Sequence, residues 1–76
     1  DVLAALKGLR RRIADEKGVP AHVVFADRTL VEMATRLPAD LEAMAAISGV
    51  GEKKLAEYGD PFLEAIAAAR RGAGAA

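Results

Sequence analysis

The chain has 76 residues and contains no cysteine, no tryptophan and only one histidine. The absence of cysteine excludes a disulfide framework and a zinc finger or zinc knuckle. It also fits a reducing compartment, where disulfides are rare. A single histidine, His22, cannot build a histidine-based catalytic metal site, and we expect no metal site.

An excess of basic charge is missing as well. Eleven basic and eleven acidic side chains give a formal net charge of zero. General polyanion binders are normally basic, so any nucleic-acid role must rest on a local patch. No apolar run approaches the ~18–20 residues of a membrane span, and no signal peptide is visible. We expect no membrane association, and because the chain starts at Asp1 we expect it to be a segment of a longer protein.

Catalytic motifs are also lacking. The chain has no Gly-x-Gly-x-x-Gly, no Walker loop, no His-Glu-x-x-His and no cysteine nucleophile. The only serine, Ser48, precedes a glycine turn and has no base nearby in the sequence. Several acidic residues stand where helix N-caps are expected, a position that favours aspartate. We therefore predict a non-catalytic domain that holds no cofactor.

What the chain has is alanine and helical periodicity. Alanine, the best helix former, supplies 18 of the 76 residues. Over residues 2–17, apolar side chains recur at the i, i+3, i+4, i+7 spacing of an amphipathic helix. Gly18 and Pro20 follow as stop signals. No period-two strand pattern is present, and the prediction is an all-α, five-helix orthogonal bundle.

The remaining helix boundaries follow from caps and breakers. We predict a short 3₁₀ or extended connector over residues 20–25 that packs on the core, and N-caps at Asp27, Asp40 and Asp60. Gly59 is expected to close one helix before Pro61 opens the next. The predicted helices are 2–17, 28–37, 41–46, 52–58 and 61–71, in a domain of residues 1–71 with a flexible tail at 72–76. Core positions are predicted for Phe25, Met33, Met44 and Phe62.

A Gly-Val-Gly turn is the sharpest local motif. Gly49 and Gly51 permit positive φ and leave backbone N–H groups exposed, and the helix that follows adds a partial positive charge. Lys53 and Lys54 stand just behind the turn. Gly49, Val50 and Gly51 therefore form a candidate phosphate-binding turn that resembles the helix-hairpin-helix element of DNA-binding proteins. The alternative is a sharp corner between helices with Val50 buried.

A second candidate surface lies at the basic end of the chain. Residues 1–20 carry five basic and three acidic groups, whereas residues 21–46 carry two and four. A ring at the tip of the connector beside basic groups can stack on an unpaired base. The candidate DNA contacts are Arg11, Arg12, Lys17 and His22, with Lys53 and Lys54 as a second edge. The alternative is a solvated loop and a solvated helix face.

Four stretches, residues 6–14, 19–34, 37–38 and 47–66, together resemble the HRDC domain (helicase and RNase D C-terminal). The similarity covers about residues 3–69, and the Val-Val-Phe-x-Asp-x-Thr-Leu stretch from Val23 to Leu30 is closer to bacterial RecQ helicases than to RNase D. The resemblance implies a five-helix bundle with a short 3₁₀ connector. It also implies that His22 matches a position that can be a DNA-contacting aromatic in similar bacterial members.

The resemblance further implies an accessory role in DNA repair and recombination. An HRDC domain follows the ATPase and winged-helix regions of a RecQ-type helicase and helps to select DNA structures. ATP and magnesium are then expected only in the parent helicase. The expected partner is single-stranded or junction-like DNA, bound weakly by a cytoplasmic, nucleoid-associated monomer.

Two alternatives to a DNA-binding accessory domain stay open. One is a docking or autoregulatory module that contacts the helicase core or another protein. Its candidate contacts are the acidic side chains Asp27, Glu32, Asp40 and Glu42. The other is an RNA accessory domain of the RNase D type.

Overall fold

The computed structural model describes residues 1–75, and all regular secondary structure within this range is α-helical. The five helices are α1 (Val2–Lys17), α2 (Ala21–Val24), α3 (Asp27–Arg36), α4 (Leu41–Ala45) and α5 (Glu52–Ala75). The predicted all-α class with five helices is confirmed. No helix in the described residues is long and apolar enough to cross a membrane.

Helix α1 begins and ends where local signals place it. The Asp1 carboxylate accepts a hydrogen bond from the Ala4 N–H at 2.9 Å and caps the N-terminus. At the other end, Gly18 adopts the left-handed conformation with φ 68°. Because glycine carries no Cβ penalty there, the chain turns sharply towards α2.

The connector after α1 forms one turn of α-helix, α2, where we predicted a 3₁₀ turn or extended chain. Pro20 occupies the N-cap with φ −62°, a position where its missing N–H is not needed. The turn closes with the Phe25 N–H donating to the Ala21 carbonyl at 3.4 Å. Val24 and Phe25 are buried, so the prediction that this segment packs on the core is confirmed.

The N-cap predicted at Asp27 is wrong, and the one predicted at Asp40 is confirmed. Helix α3 starts at Asp27 itself, with Ala26 as an N-cap that makes no side-chain hydrogen bond. Instead of capping the helix, the Asp27 carboxylate pairs with the Arg10 guanidinium on α1. At α4, by contrast, the Asp40 carboxylate accepts from the Ala43 N–H at 2.8 Å.

Helix α5 is continuous, so the predicted break at residues 59–60, with Gly59 as a C-cap and Asp60 as an N-cap, is wrong. Gly59 lies inside the helix, where a Cβ would come within 2.8 Å of Leu41 Cδ2 on α4. Its role is close helix packing, not termination. Pro61 removes a backbone hydrogen bond from the helix interior at a cost of ~3 kcal/mol. Burial of Phe62 and Ile66 on the same helix offsets this cost.

The C-terminal end of α5 also differs from the prediction. The helix continues to Ala75, beyond the predicted end at Arg71. The flexible tail predicted for residues 72–76 stays a prediction, and Ala76 lies outside the described residues.

An aromatic trio forms the centre of the core. The rings of Phe25, Tyr58 and Phe62 meet edge to face, with centroids 5.0 to 6.4 Å apart. Around them pack buried side chains from the four longest helices, α1, α3, α4 and α5: Leu6, Leu30, Met33, Met44 and Ile66. The predicted core positions Phe25, Met33, Met44 and Phe62 are confirmed.

Candidate nucleic-acid groove

A shallow groove of about 360 Å³ lies where the end of α1, helix α2 and the first two turns of α5 meet. We call it the lysine groove, because three of its side chains are lysines. Its lining residues are Lys17, Val19, Val23, Lys53, Lys54, Glu57 and Tyr58. Lys17 of the first predicted basic edge thus meets Lys53 and Lys54 of the second edge at one surface.

The local backbone explains this convergence. Gly18 ends α1 directly after Lys17 and directs the chain past Val19 into α2. On α5, Lys53 and Lys54 precede Glu57 by four and three residues, the spacing that places side chains on one helix face. The groove therefore brings together residues as far apart in sequence as Lys17 and Glu57, which are separated by 40 positions.

Lys17 is held in place by two partners on α5. Its ammonium lies 3.1 Å from Glu57 Oε2 and 5.3 Å from the centroid of the Tyr58 ring. The hydrogen bond to the Glu57 carboxylate is the main reason that the pKa of Lys17 is raised above its ordinary value, and Tyr58 adds to it. Lys17 stays charged at neutral pH.

The other walls of the groove are cationic and apolar. The Lys54 ammonium lies 5.6 Å from the centroid of the Phe25 ring, so its stem covers part of the aromatic core. Lys53 is exposed, and Val23 keeps 45% of its surface exposed. His22 is exposed on the same helical turn as Val23.

Arg11 and Arg12 are not part of the lysine groove. Arg11 is paired with Asp15 at 3.8 Å on the same helix. Arg12 borders a second groove of about 300 Å³ between α1 and α5, together with Leu9 and Pro61. Five residues along an α-helix correspond to a rotation of ~140°, so Arg12 and Lys17 point to different faces. A DNA contact by either arginine stays a prediction.

The Gly-Val-Gly turn is fixed against α3. The Thr29 hydroxyl donates to the Ser48 carbonyl at 3.0 Å, and the Ser48 N–H donates to the Glu32 carboxylate at 3.3 Å. Gly49 has φ 90°, and Val50 is buried. A turn held against α3 with Val50 buried agrees with the alternative interpretation, in which Gly-Val-Gly forms a sharp corner between two helices.

Phosphate binding by Gly49, Val50 and Gly51 stays a prediction. The first backbone hydrogen bond of α5 runs from the Leu55 N–H to the Gly51 carbonyl at 2.8 Å. The N–H groups of residues 52–54 precede this bond, so they have no partner within the helix. Glu52 follows the turn directly and places a negative charge there.

The sequence did not lead us to predict that Arg10 pairs with Phe25 and Asp27. Its guanidinium donates to the Phe25 carbonyl at 2.9 Å and lies 2.8 Å from Asp27 Oδ1. Its hydrogen bond to the Asp27 carboxylate is the main reason that the pKa of Asp27 lies below its ordinary value. The available signal was the place of Arg10 at the edge of the apolar stripe, where a charge needs a partner.

The acidic side chains proposed for docking are mostly engaged within the chain. Asp27 pairs with Arg10, and Asp40 caps α4. Glu32 lies 3.2 Å from the Arg36 guanidinium and also binds the Ser48 N–H. Glu42 is exposed on α4. Across residues 1–75, no three His, Asp or Glu side chains form a group that could hold a metal ion.

The sequence pattern of the HRDC domain matches residues 1–66. The chain belongs to the HRDC domain family. The solved "D. radiodurans RecQ HRDC domain 3" is 42% identical, with a TM-score of 0.84 over 87% of each chain. This HRDC domain therefore shares the fold of that domain, and the predicted resemblance is confirmed.

Two longer relatives are ATP-dependent DNA helicases. The ATP-dependent DNA helicase RecQ of Pasteurella multocida is 44% identical over 66 residues, 87% of this chain and 10% of the relative. The ATP-dependent DNA helicase UvrD2 of Mycobacterium tuberculosis is also 44% identical over 66 residues, 87% of this chain and 9% of the relative. The chain thus spans about a tenth of these helicases and corresponds to their accessory module.

Proposed function

We propose that this HRDC domain is a non-catalytic accessory module of a RecQ-type DNA helicase that binds single-stranded or junction-like DNA weakly. The observation that carries the proposal is the meeting of Lys17, Lys53 and Lys54 at one groove with an apolar wall. In this proposal, ATP and magnesium are bound only by the parent helicase. The domain acts as a monomer in the cytoplasm, where the nucleoid lies.

The chemistry of the lysine groove suits a single strand. Ammonium groups bind backbone phosphates whatever the sequence, and they give an affinity that falls as salt rises. The exposed Val23 and His22 offer surfaces on which an unpaired base can rest. A volume of about 360 Å³ is at the small end for a binding site, which fits one nucleotide unit, not a duplex.

The zero net charge of the chain supports a weak interaction. Without a long-range positive field, the three lysines act only at short distance. When the domain is tethered to a helicase that already holds DNA, the effective concentration of the strand is high. A weak site is then sufficient to change which DNA structures the helicase retains.

The test is a titration of a fluorescent single-stranded oligonucleotide at low salt, followed by a salt series. We expect the K53Q/K54Q variant to lose affinity, and the slope of log K against log salt to become shallower by ~1.4. The matched control is R70Q/R71Q, which removes two charges from α5 about 25 Å farther along the helix. Equal affinity of wild type, variant and control would contradict binding in the lysine groove.

A protein-docking role is the second candidate, and one observation favours it. Helices α3 and α4 expose two large apolar side chains, Val31 and Leu41, within the segment of net charge −2. In a docking role, Val31 on α3 and the adjacent Leu41 and Glu42 on α4 are the apolar and acidic groups that a basic partner would contact. The combined variant V31S/L41S/E42Q in the full-length helicase tests this role. A change in helicase activity without any change in DNA affinity would support docking.

A further inference from the structure

Glu57 is the one acidic side chain among the described residues that line the lysine groove. Its carboxylate contacts Lys17 at 3.1 Å although Lys53 and Lys54 stand one helical turn before it. The Lys17 and Glu57 side chains are 45% and 39% exposed, so the pair lies at the mouth of the groove. An anion from solution can reach both groups.

A carboxylate and a phosphate compete for the same ammonium. Both present charged oxygens that accept hydrogen bonds from Nζ, and both are anions. A phosphate placed beside Lys17 would stand next to the Glu57 carboxylate, and the two like charges would repel. Glu57 therefore opposes phosphate binding at Lys17 for as long as its carboxylate stays beside the ammonium.

Ion pairs between exposed side chains are weak, because water and salt screen the charges. The Lys17–Glu57 pair is thus strong enough to be populated in the free domain and weak enough to be displaced. The Lys17 ammonium also lies 5.3 Å from the centroid of the Tyr58 ring, a cation–π contact that holds it at the groove when Glu57 leaves.

We infer that Glu57 occupies a phosphate subsite of the lysine groove as an internal anion, and that a DNA phosphate must displace it from Lys17. This inference rests on the proposed function. In this role, Glu57 lowers the affinity of the domain for a single strand. The strand binds Lys53 and Lys54 directly, but it binds Lys17 only when the Lys17–Glu57 ion pair breaks.

The experiment compares E57Q with the wild type in the same oligonucleotide titration. We expect E57Q to bind ~three- to tenfold more tightly and to steepen the salt slope by ~0.7, the value for one more phosphate contact on a single strand. The matched control is E16Q, which removes one negative charge next to Lys17 from an exposed site on α1. In a K17Q background, E57Q should lose most of its gain, because the two groups act through one contact.

Two further variants separate charge from folding. E57D keeps the carboxylate and should bind close to wild type, and thermal unfolding should show that E57Q remains folded. If wild type binds but E57Q equals E16Q, the role of Glu57 is overturned and the proposed function stands. If neither folded wild type nor folded E57Q binds the strand at low salt, the proposed function and this inference both fall.

Discussion

The Thr29 hydroxyl occupies the place where a Cβ of residue 49 would stand. A Cβ built on Gly49 would collide with Thr29 Oγ1, which donates to the neighbouring Ser48 carbonyl at 3.0 Å. Gly49 also has φ 90°, a conformation that L side chains rarely adopt. One glycine thus allows the corner between α4 and α5 to lie directly on α3.

The first prediction concerns the two glycines of this corner. We expect G49A to lower the free energy of unfolding by ~1–3 kcal/mol, because alanine brings both backbone strain and overlap with Thr29. G51A is the matched control. Its added Cβ would meet no atom within 4 Å, so we expect only the loss of less than ~1 kcal/mol that alanine causes at a helix N-cap. Urea unfolding measures both, and equal effects of the two variants would contradict the structural role of Gly49.

Helix ends that are set by capping residues near in sequence were predicted correctly. The bounds of α1 followed from its periodicity and from Gly18, and the start of α4 followed from Asp40. The break predicted near Gly59 failed because its cause is not local. Leu41 packs against Gly59 from another helix, and buried aromatic side chains stabilise α5 across Pro61. Tertiary packing overrides propensity at such positions.

The candidate site was predictable in its parts but not in its assembly. Lys17, Lys53 and Lys54 could each be named from local charge. Their meeting at one groove depends on how α1 packs on α5. The contact between Lys17 and Glu57 joins residues 40 apart, and no periodicity in the sequence encodes such a pair.

The second prediction concerns Arg10, whose side chain is only 11% exposed. We expect R10M to lower the free energy of unfolding by ~1.5–3 kcal/mol, because the half-buried Phe25 carbonyl loses a charged donor. R11M is the matched control on the same helix, since the Arg11 side chain is 83% exposed. Its change should stay below ~0.5 kcal/mol. Similar losses in both variants would argue against a specific bond between Arg10 and Phe25.

The third prediction concerns pH and Asp27. The pKa of Asp27 is lowered in the folded domain, mainly by the hydrogen bond from Arg10, so its ionised form stabilises the fold. This contribution is fully present above the unfolded pKa of ~3.9 and is lost as pH falls through the lower folded value. The stability difference between wild type and D27N should therefore be larger at pH 7 than at pH 2.5.

The control for this prediction is to measure the effect of D27N in the R10M variant. In R10M the main partner of the carboxylate is absent and only the weaker attraction of Lys7 remains, so the effect of D27N on the free energy of unfolding should depend much less on pH. A pH dependence as large in R10M as in the wild type would mean that another group, not Arg10, is the main cause of the lowered pKa of Asp27.

The fourth prediction tests whether α5 runs unbroken through Pro61. In a continuous helix, P61A restores an N–H that can bond to the Glu57 carbonyl, and it removes the clash of the ring with that carbonyl. We expect P61A to raise the free energy of unfolding by ~1–2 kcal/mol, less than the full ~3 kcal/mol helix preference because proline also restricts the unfolded chain. P20A is the control, since Pro20 lies at an N-cap and its replacement should lower stability slightly. If P61A instead destabilised the domain as P20A does, Pro61 would be the first residue of a separate helix in solution.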